Sequence, residues 1–353
     1  MRDLDRSFVI GRRTVGPGHP TYVIAELSAN HHQSFDFAVK LVHEAARIGA
    51  DAVKLQTYTP DTITLKVDSP LFVHGHGSPW AGQSLHDLYA EAYTPWEWQP
   101  KLKAVAEGLG LDLFSSAFDP TAVDFLEAMG VPAHKVASFE LVDLPLIERM
   151  ARTGKPLLMS TGMATLAEIE DAVRAARGAG ARALALLKCT SAYPAPPEEM
   201  HLRTLVDLAR RFECVVGISD HTLAADVPAA AVALGASIVE KHLTMSRADA
   251  GPDSSFSLEP AEFEAMIRSV RTVERALGEV RYGPSEREQQ SRKFRRSLFV
   301  VTDVRAGDVL SDASVRSIRP GHGLAPKHLP EVLGRRAAID IARGTPLAWD
   351  LLA

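Results

Sequence analysis

Two histidines stand at matching places in this chain of 353 residues, one closing Gly217-Ile-Ser-Asp-His221 and the other closing Ile238-Val-Glu-Lys-His242. Neutral imidazoles suit Mn, Fe, Co or Zn, and a pair of them leaves coordination positions for water and a substrate oxygen. The alternative is that each ring is only hydrogen-bonded, as partly buried histidines often are. Two lysines, Lys54 and Lys135, lie inside the apolar runs Val-Lys-Leu-Gln and His-Lys-Val-Ala, where an unpaired ammonium is costly. Each is either a Schiff-base nucleophile or a cation for phosphate and carboxylate. Ser116, Ser138, Ser160, Ser191 and Ser219 at comparable places favour the second role, because phosphate oxygens accept several hydrogen bonds each. Glu26 is a metal ligand, a general acid/base or a partner for a lysine. Asp253, in Ala-Gly-Pro-Asp, faces sugar hydroxyls or belongs to an ordinary turn.

What must position these residues is a series of short Val-, Ile- and Leu-rich runs separated by longer amphipathic stretches, the pattern of parallel strands joined by helices. The runs cover 21–26, 52–57, 112–116, 134–138, 157–161, 184–190, 215–221 and 238–242. Eight is the number of the (β/α)8 TIM barrel, whose active sites gather at the carboxyl ends of the strands, where the polar residues stand here. Gly49, Gly110, Gly130, Gly154, Gly180 and Gly235 precede strands by a few residues, as helix stops. A doubly wound open sheet gives the same alternation, but no G-x-G-x-x-G follows the first run. A long insert from Pro60 to about Pro95, with His74, Gly75, His76, Gly77, Trp80 and Gly82, is placed to shape the substrate pocket.

A barrel domain is therefore predicted over residues 1–280, followed by a polar linker at 281–293 and a small, turn-rich, mostly β module at 294–353. A module of that size is near the lower limit for an independent fold. With 46% hydrophobic and 24% charged residues the chain has the balance of a globular protein, and its net charge of -5 supplies no basic field for nucleic acid or an anionic membrane. Cys189 and Cys214 make no C-x-x-C or zinc spacing, which fits a reducing compartment. Neither a signal peptide nor an apolar run of spanning length is present, so a cytoplasmic location is expected.

The motifs Ile24-Ala-Glu-Leu-Ser-Ala-Asn-His31, Lys54-Leu-Gln-Thr57, Phe114-Ser-Ser116, Lys135-Val-Ala-Ser138, Ser160-Thr-Gly-Met163, Lys188-Cys-Thr-Ser-Ala-Tyr-Pro194, Gly217-Ile-Ser-Asp-His-Thr222, Glu240-Lys-His-Leu-Thr244 and Gly251-Pro-Asp253 occur in that order. Together they resemble the strand-end motifs of the sialic acid synthase family. The resemblance implies a metal-dependent enzyme that adds phosphoenolpyruvate to the open-chain aldehyde of an N-acetylated amino sugar and releases phosphate. It assigns phosphoenolpyruvate contacts to Lys54, Ser116, Lys135, Ser138, Ser160, Ser191 and Ser219. Mn is expected on His221 and His242, while Glu26, Tyr193 and Asp253 fall near the sugar and the reacting carbons. Many members carry Thr and Asn where this chain has Ser116 and Ser191, and a small residue and Gly where it has His32 and Gln33.

The carboxyl-terminal module resembles the antifreeze-like (SAF) domain of the same family, including Arg319-Pro-Gly321. That implies a domain-swapped homodimer in which Arg319 reaches the acetamido group of a sugar bound by the other protomer. The insert motifs Ser78-Pro-Trp-Ala-Gly-Gln-Ser-Leu-His-Asp-Leu-Tyr89 and Glu91-Ala-Tyr-Thr-Pro-Trp-Glu-Trp98 resemble the pseudaminic acid branch rather than the N-acetylneuraminic or legionaminic branches. The acceptor implied is 2,4-diacetamido-2,4,6-trideoxy-L-altrose, and Trp80 and Tyr89 either suit its methyl and acetamido groups or form the core of the loop. Two rival readings are a Schiff-base aldolase using Lys135 or Lys188 and a carbohydrate-binding protein without catalysis.

Overall fold

The computed structural model describes residues 6–75, 80–249 and 251–353; His76, Gly77, Ser78 and Pro79 of the insert lie outside these. Contacts divide the chain into two units, Met1–Gly278 and Glu279–Ala353.

The first unit opens with a small antiparallel hairpin, β1 (Phe8–Ile10) and β2 (Arg13–Val15), whose Ile10 and Val15 are buried in the main core. The barrel then runs β3 (Tyr22–Glu26), α1 (Phe35–Arg47), β4 (Ala52–Thr57), α2 (Pro60–Ile63), α3 (Leu85–Ala92), α4 (Gln99–Gly108) and β5 (Asp112–Ala117). It continues through α5 (Pro120–Met129), β6 (His134–Val136), α6 (Leu144–Arg152), β7 (Leu157–Ser160), α7 (Leu166–Gly178) and β8 (Leu184–Cys189). It ends with α8 (Thr204–Phe212), β9 (Val215–Asp220), α9 (Asp226–Ala233), β10 (Ile238–His242) and α10 (Pro260–Leu277). Strands β3 to β10 pair in parallel, and β10 returns to β3 to close the ring. The chain thus forms the expected eight-stranded barrel.

These segments take their forms for local reasons. The strands are buried along almost their whole length, as parallel strands covered on both faces must be, so they read as continuous apolar runs. Several helices start on side-chain caps: Ser34 accepts from the Phe37 amide, Asp119 from the Thr121 and Ala122 amides, and Thr165 forms a capping box with Glu168. The six glycines read as helix stops all have positive φ, and Gly130 is the left-handed cap of α5 at φ 69°. Helix α8 instead ends on Glu213 at φ 48°, a stop that no glycine announces.

In the second unit, a short helix α11 (Glu286–Gln289) and a 3-10 turn at Gln290–Phe294 occupy the stretch read as a linker. Strands β11 (Ser297–Val300) and β12 (Val315–Ile318) then pair antiparallel, followed by α12 (Leu329–Val332). Isolated bridges such as Val304 with Ile341 extend the pairing. Leu298, Val300, Leu310, Val332 and Leu347 form the small core of this unit. Among the described residues no helix is long and apolar enough to cross a membrane.

Candidate active site

Register brings the polar strand ends together. Across the closing pair His242 lies beside Glu26, and across the next Glu26 lies beside Lys54. Further round, Gln56 pairs with Ser116, Ser116 with Lys135, Cys189 with Ser219, and Ser219 with Glu240. Because side chains alternate across a strand, this register aims one polar set at the carboxyl mouth of the barrel. A cavity of about 500 Å³ opens there, with Lys54, Lys135, Glu26 and Glu240 in its floor and His221 and His242 beside them.

The floor is a linked set of charges. Lys54 Nζ donates to Ser116 Oγ at 3.0 Å, lies 2.6 Å from Glu26 Oε2 and 3.7 Å from Glu240 Oε1. The close approach to Glu26 Oε2 is out of hydrogen-bond alignment, so it counts as an ion pair. Burial lowers Lys54's proton affinity, but Glu240 and Glu26 outweigh it and hold the ammonium charged. Lys135 Nζ donates to Ser160 Oγ at 2.7 Å and Val136 O at 2.8 Å, and burial pulls its pKa below the usual lysine range. Burial pushes Glu26 up to about 7 against the pull of Lys54. Glu240 is equally buried, yet Lys54 and Lys135 together hold it below the ordinary value.

Next to this floor Ser138, Ser191 and the backbone of Gly162 converge. The Gly162 amide donates to Ser138 Oγ at 3.2 Å, and a Cβ on Gly162 would lie 2.2 Å from Ser191 Oγ and 2.7 Å from Ser138 Oγ. Two lysines and four serines, Ser116, Ser138, Ser160 and Ser219, in one pocket have the charge and donor count to hold a phosphate and a carboxylate together.

The rings of His221 and His242 have centroids 5.3 Å apart. His221 Nδ1 meets Thr190 O at 3.0 Å and Cys189 Sγ at 3.8 Å, while His242 Nδ1 meets Ser28 Oγ at 3.1 Å. With each Nδ1 held by the protein, Nε2 is the nitrogen left for a ligand on both rings, the arrangement in which outer partners orient ligating imidazoles. Burial drives His242 well below the ordinary histidine value, so it is neutral. Burial acts the same way on His221, but Cys189 outweighs it and raises His221. The Cys189 thiol, raised by burial, is pulled down to about 7 by His221. Among the described residues no group of three or more His, Cys, Asp or Glu is gathered for a metal. Two imidazoles with open positions fit a divalent ion that also takes water and substrate oxygens.

Above the floor the insert supplies a wall of the apolar and aromatic residues Ile63, Trp80, Leu85, Leu88 and Tyr89, with the imidazole of His74 among them. Trp80 Nε1 donates to Pro252 O at 3.0 Å, joining the insert to the loop that carries Asp253, and its ring lies 6.0 Å from that of Tyr193. Gln33 ties the same region from the other side, with Nε2 donating to Glu91 O at 2.8 Å and Tyr93 O at 2.7 Å. His32 and Gln33 both sit at positive φ, 49° and 48°, where glycine is favoured. The Gln33 bonds to the insert offset that strain, and a glycine could not make them.

Of the residues singled out from the sequence, Glu26, Lys54, Ser116, Lys135, Ser138, Ser160, Tyr193, Ser219, His221, His242 and Asp253 all line this cavity. Ser191 stands behind Gly162 rather than in the lining. Arg319 is in the second unit, just after β12. Two other strand-end residues face elsewhere: Ser115 bonds Thr57 Oγ1 at 2.6 Å, and Lys188 turns to Cys189 O at 2.7 Å outside the lining, so it is not the nucleophile of an aldolase in this cavity. Glu140 escaped the sequence reading. It lies on the 3-10 turn Ser138–Val142, burial raises its carboxyl to about 7, and its buried Oε2 has no hydrogen-bond partner. Its only signal was its position two residues beyond Lys135-Val-Ala-Ser138.

The barrel and the contents of its mouth define the class: a (β/α)8 protein that gathers two buried lysines, serine hydroxyls and a pair of histidines in one cavity at the carboxyl ends of its strands. The chain belongs to the NeuB family, which matches residues 41–282, and residues 295–353 match the SAF domain. It is 41% identical to the pseudaminic acid synthase of Helicobacter pylori over 94% of this chain and 97% of that one. It is 34% identical to the N,N'-diacetyllegionaminic acid synthase of Legionella pneumophila, over 96% and 97%. The crystal structure of the spore coat polysaccharide biosynthesis protein spsE of Bacillus subtilis superposes with a TM-score of 0.68 at 31% identity, covering 98% of this chain and 99% of that one.

Proposed function

We propose that this chain condenses phosphoenolpyruvate with 2,4-diacetamido-2,4,6-trideoxy-L-altrose to give pseudaminic acid and phosphate. The observation that carries the reaction type is the buried floor of Lys54, Lys135 and serine hydroxyls directly beside His221 and His242. The choice of sugar rests on the 41% identity to the Helicobacter pylori enzyme against 34% for the legionaminic acid enzyme, and on the apolar wall, which suits an acceptor with a methyl at C6 and two acetamido groups.

In this reading Lys54 and Lys135 hold the carboxylate and phosphate of phosphoenolpyruvate, with Ser116, Ser138, Ser160 and Ser219 bonding their oxygens and Ser191, behind Gly162, left outside the contact set. A divalent ion, Mn by expectation, would be held by His221 and His242 and would polarise the sugar's aldehyde. The methylene carbon of phosphoenolpyruvate attacks the aldehyde carbon, whose oxygen takes a proton. Water adds at the resulting cationic carbon and loses a proton, and the adduct collapses to the keto acid with departure of phosphate. Glu140 is the group to supply the proton: it is half protonated near neutrality, and one carboxyl oxygen is free of protein partners. Glu26, engaged by Lys54 and by Gln56 Nε2 at 3.1 Å, aligns the cation that carries the anion. Tyr193, Asp253 and Trp80 contact the sugar.

A homodimer is part of the proposal, with Arg319 of one protomer meeting the acetamido group of a sugar bound in the other. Support comes from exposed apolar residues on the segments that follow β6 and β7, namely Phe139, Val142, Met163 and Leu166, which a second chain would cover. The test is incubation with phosphoenolpyruvate, with and without Mn, and a panel of N-acetylated sugars, reading phosphate release and product mass. Turnover of N-acetylmannosamine alone would overturn the sugar assignment, and full turnover of the His221→Ala variant in metal-free buffer would overturn the metal.

A further inference from the structure

Each of the two cavity histidines is preceded in sequence by one half of a buried ion pair. Asp220 precedes His221 and Lys241 precedes His242, and Asp220 and Lys241 are register partners on adjacent strands β9 and β10. Lys241 Nζ lies 2.5 Å from Asp220 Oδ2, with side-chain exposures of 1% and 0%. The same ammonium donates to Thr222 O. Thr222 closes the loop, its amide donating to Asp220 Oδ1 at 2.9 Å and its hydroxyl to Asp220 Oδ2 at 3.1 Å. The three residues form a closed clip around His221, anchored on the strand that carries His242.

Nothing in the barrel's packing calls for charge at that place. The next pair on the same face of these two strands is Val239 with Ile218, and Val53 with Leu113 does the same work between β4 and β5. Burying two charges is expensive, and apolar replacements are often neutral or stabilising, so the pair answers a need for geometry. Neither Asp220, Lys241 nor Thr222 lines the cavity, so none touches substrate. What the clip does fix is the offset between the ends of β9 and β10, and therefore the distance between the two imidazoles. We propose that Asp220, Lys241 and Thr222 are positioning residues that hold His221 and His242 at the spacing one divalent ion requires. This rests on the metal reading given under Proposed function.

The test measures the metal itself. Mn is titrated into the metal-free full-length protein and free Mn is read by electron paramagnetic resonance, with phosphoenolpyruvate binding measured separately without metal. In the double variant Asp220→Asn/Lys241→Met the Mn dissociation constant is expected to rise about 10- to 100-fold, the range for loss of groups that orient metal ligands. Phosphoenolpyruvate binding without metal and cooperative thermal unfolding should persist, which a general structural lesion would not allow. Mn affinity within twofold of the parent protein overturns the proposal. Should the double variant fail to fold, Thr222→Val removes only one hydroxyl from the clip and is expected to weaken Mn about threefold or more; unchanged affinity there overturns it equally. If the parent protein binds no Mn, the metal reading fails first and this inference with it.

Discussion

A methyl group on Gly162 would occupy the space in which Ser138 and Ser191 hold their hydroxyls. The built Cβ lies 2.2 Å from Ser191 Oγ, 2.7 Å from Ser138 Oγ and 3.0 Å from Ser138 Cβ. Both hydroxyls must swing aside by about 1 Å to reach ordinary van der Waals contact. The backbone itself accepts alanine, because Gly162 is not among the positive-φ glycines, and a compatible Gly→Ala change is neutral or stabilising by about 0.4–1 kcal/mol. Stability and function should therefore part company. A hydrogen bond to a charged oxygen contributes about 1.5–3 kcal/mol, so loss of one from the anion cradle predicts a fall in kcat/KM for phosphoenolpyruvate of about 10- to 150-fold. Initial rates of phosphate release across a phosphoenolpyruvate series at saturating sugar provide the assay, with Tm by calorimetry beside them. The KM for sugar should hardly move. A Gly162→Ala protein with kcat/KM within twofold of the parent would refute the cradle, and a Tm lowered by many degrees would show that the clash enters the backbone instead.

Burial holds the Glu140 carboxyl near 7, above its ordinary value. A donor must be protonated, so kcat is full below that pH and declines as pH climbs through it; Glu140→Gln should lose the decline and most of the rate, and an unchanged profile counts against the assignment. Trp80→Ala removes both the ring against Tyr193 and the bond to Pro252 O. It should raise the sugar KM by about 10-fold or more with phosphoenolpyruvate KM unchanged, as steady-state kinetics with each substrate varied will show. If two chains share each site, mixing inactive Arg319→Ala with inactive Lys135→Ala after unfolding and refolding should restore up to about a quarter of the parent activity, because half the chains form mixed dimers and each of these has one intact site. No recovery would place both residues in a site made by one chain.

How much of this was legible in the sequence depended on whether a residue's surroundings are local. The strands could be found because burial on both faces demands continuous apolar runs, and Lys54 and Lys135 drew notice by interrupting them. The direction of each side chain was less accessible. Ser115 and Ser116 look alike as neighbours, yet alternation sends one to Thr57 and the other to Lys54. Glu140 was missed because it lies beyond a strand, on a turn whose inward aim depends on how the chain leaves β6. The Asp220–Lys241 pair was hidden for another reason: charged residues beside two histidines read as site chemistry, and only the register shows them facing the other way. The helix stops were visible where glycine supplied them and invisible at Glu213.

The arrangement around Lys54 has a bearing on turnover. That ammonium already has Glu26 at 2.6 Å and Glu240 at 3.7 Å beside it before any anion arrives. In the proposed reaction an incoming phosphate or carboxylate would share the cation with two resident carboxylates, which would act as built-in competitors. On that proposal an anion that bonds the whole ring of donors would be favoured over inorganic phosphate, which could use only part of the ring. The same carboxylates that look like a cost to substrate binding would then shorten the residence time of the product phosphate, leaving the site ready for the next cycle.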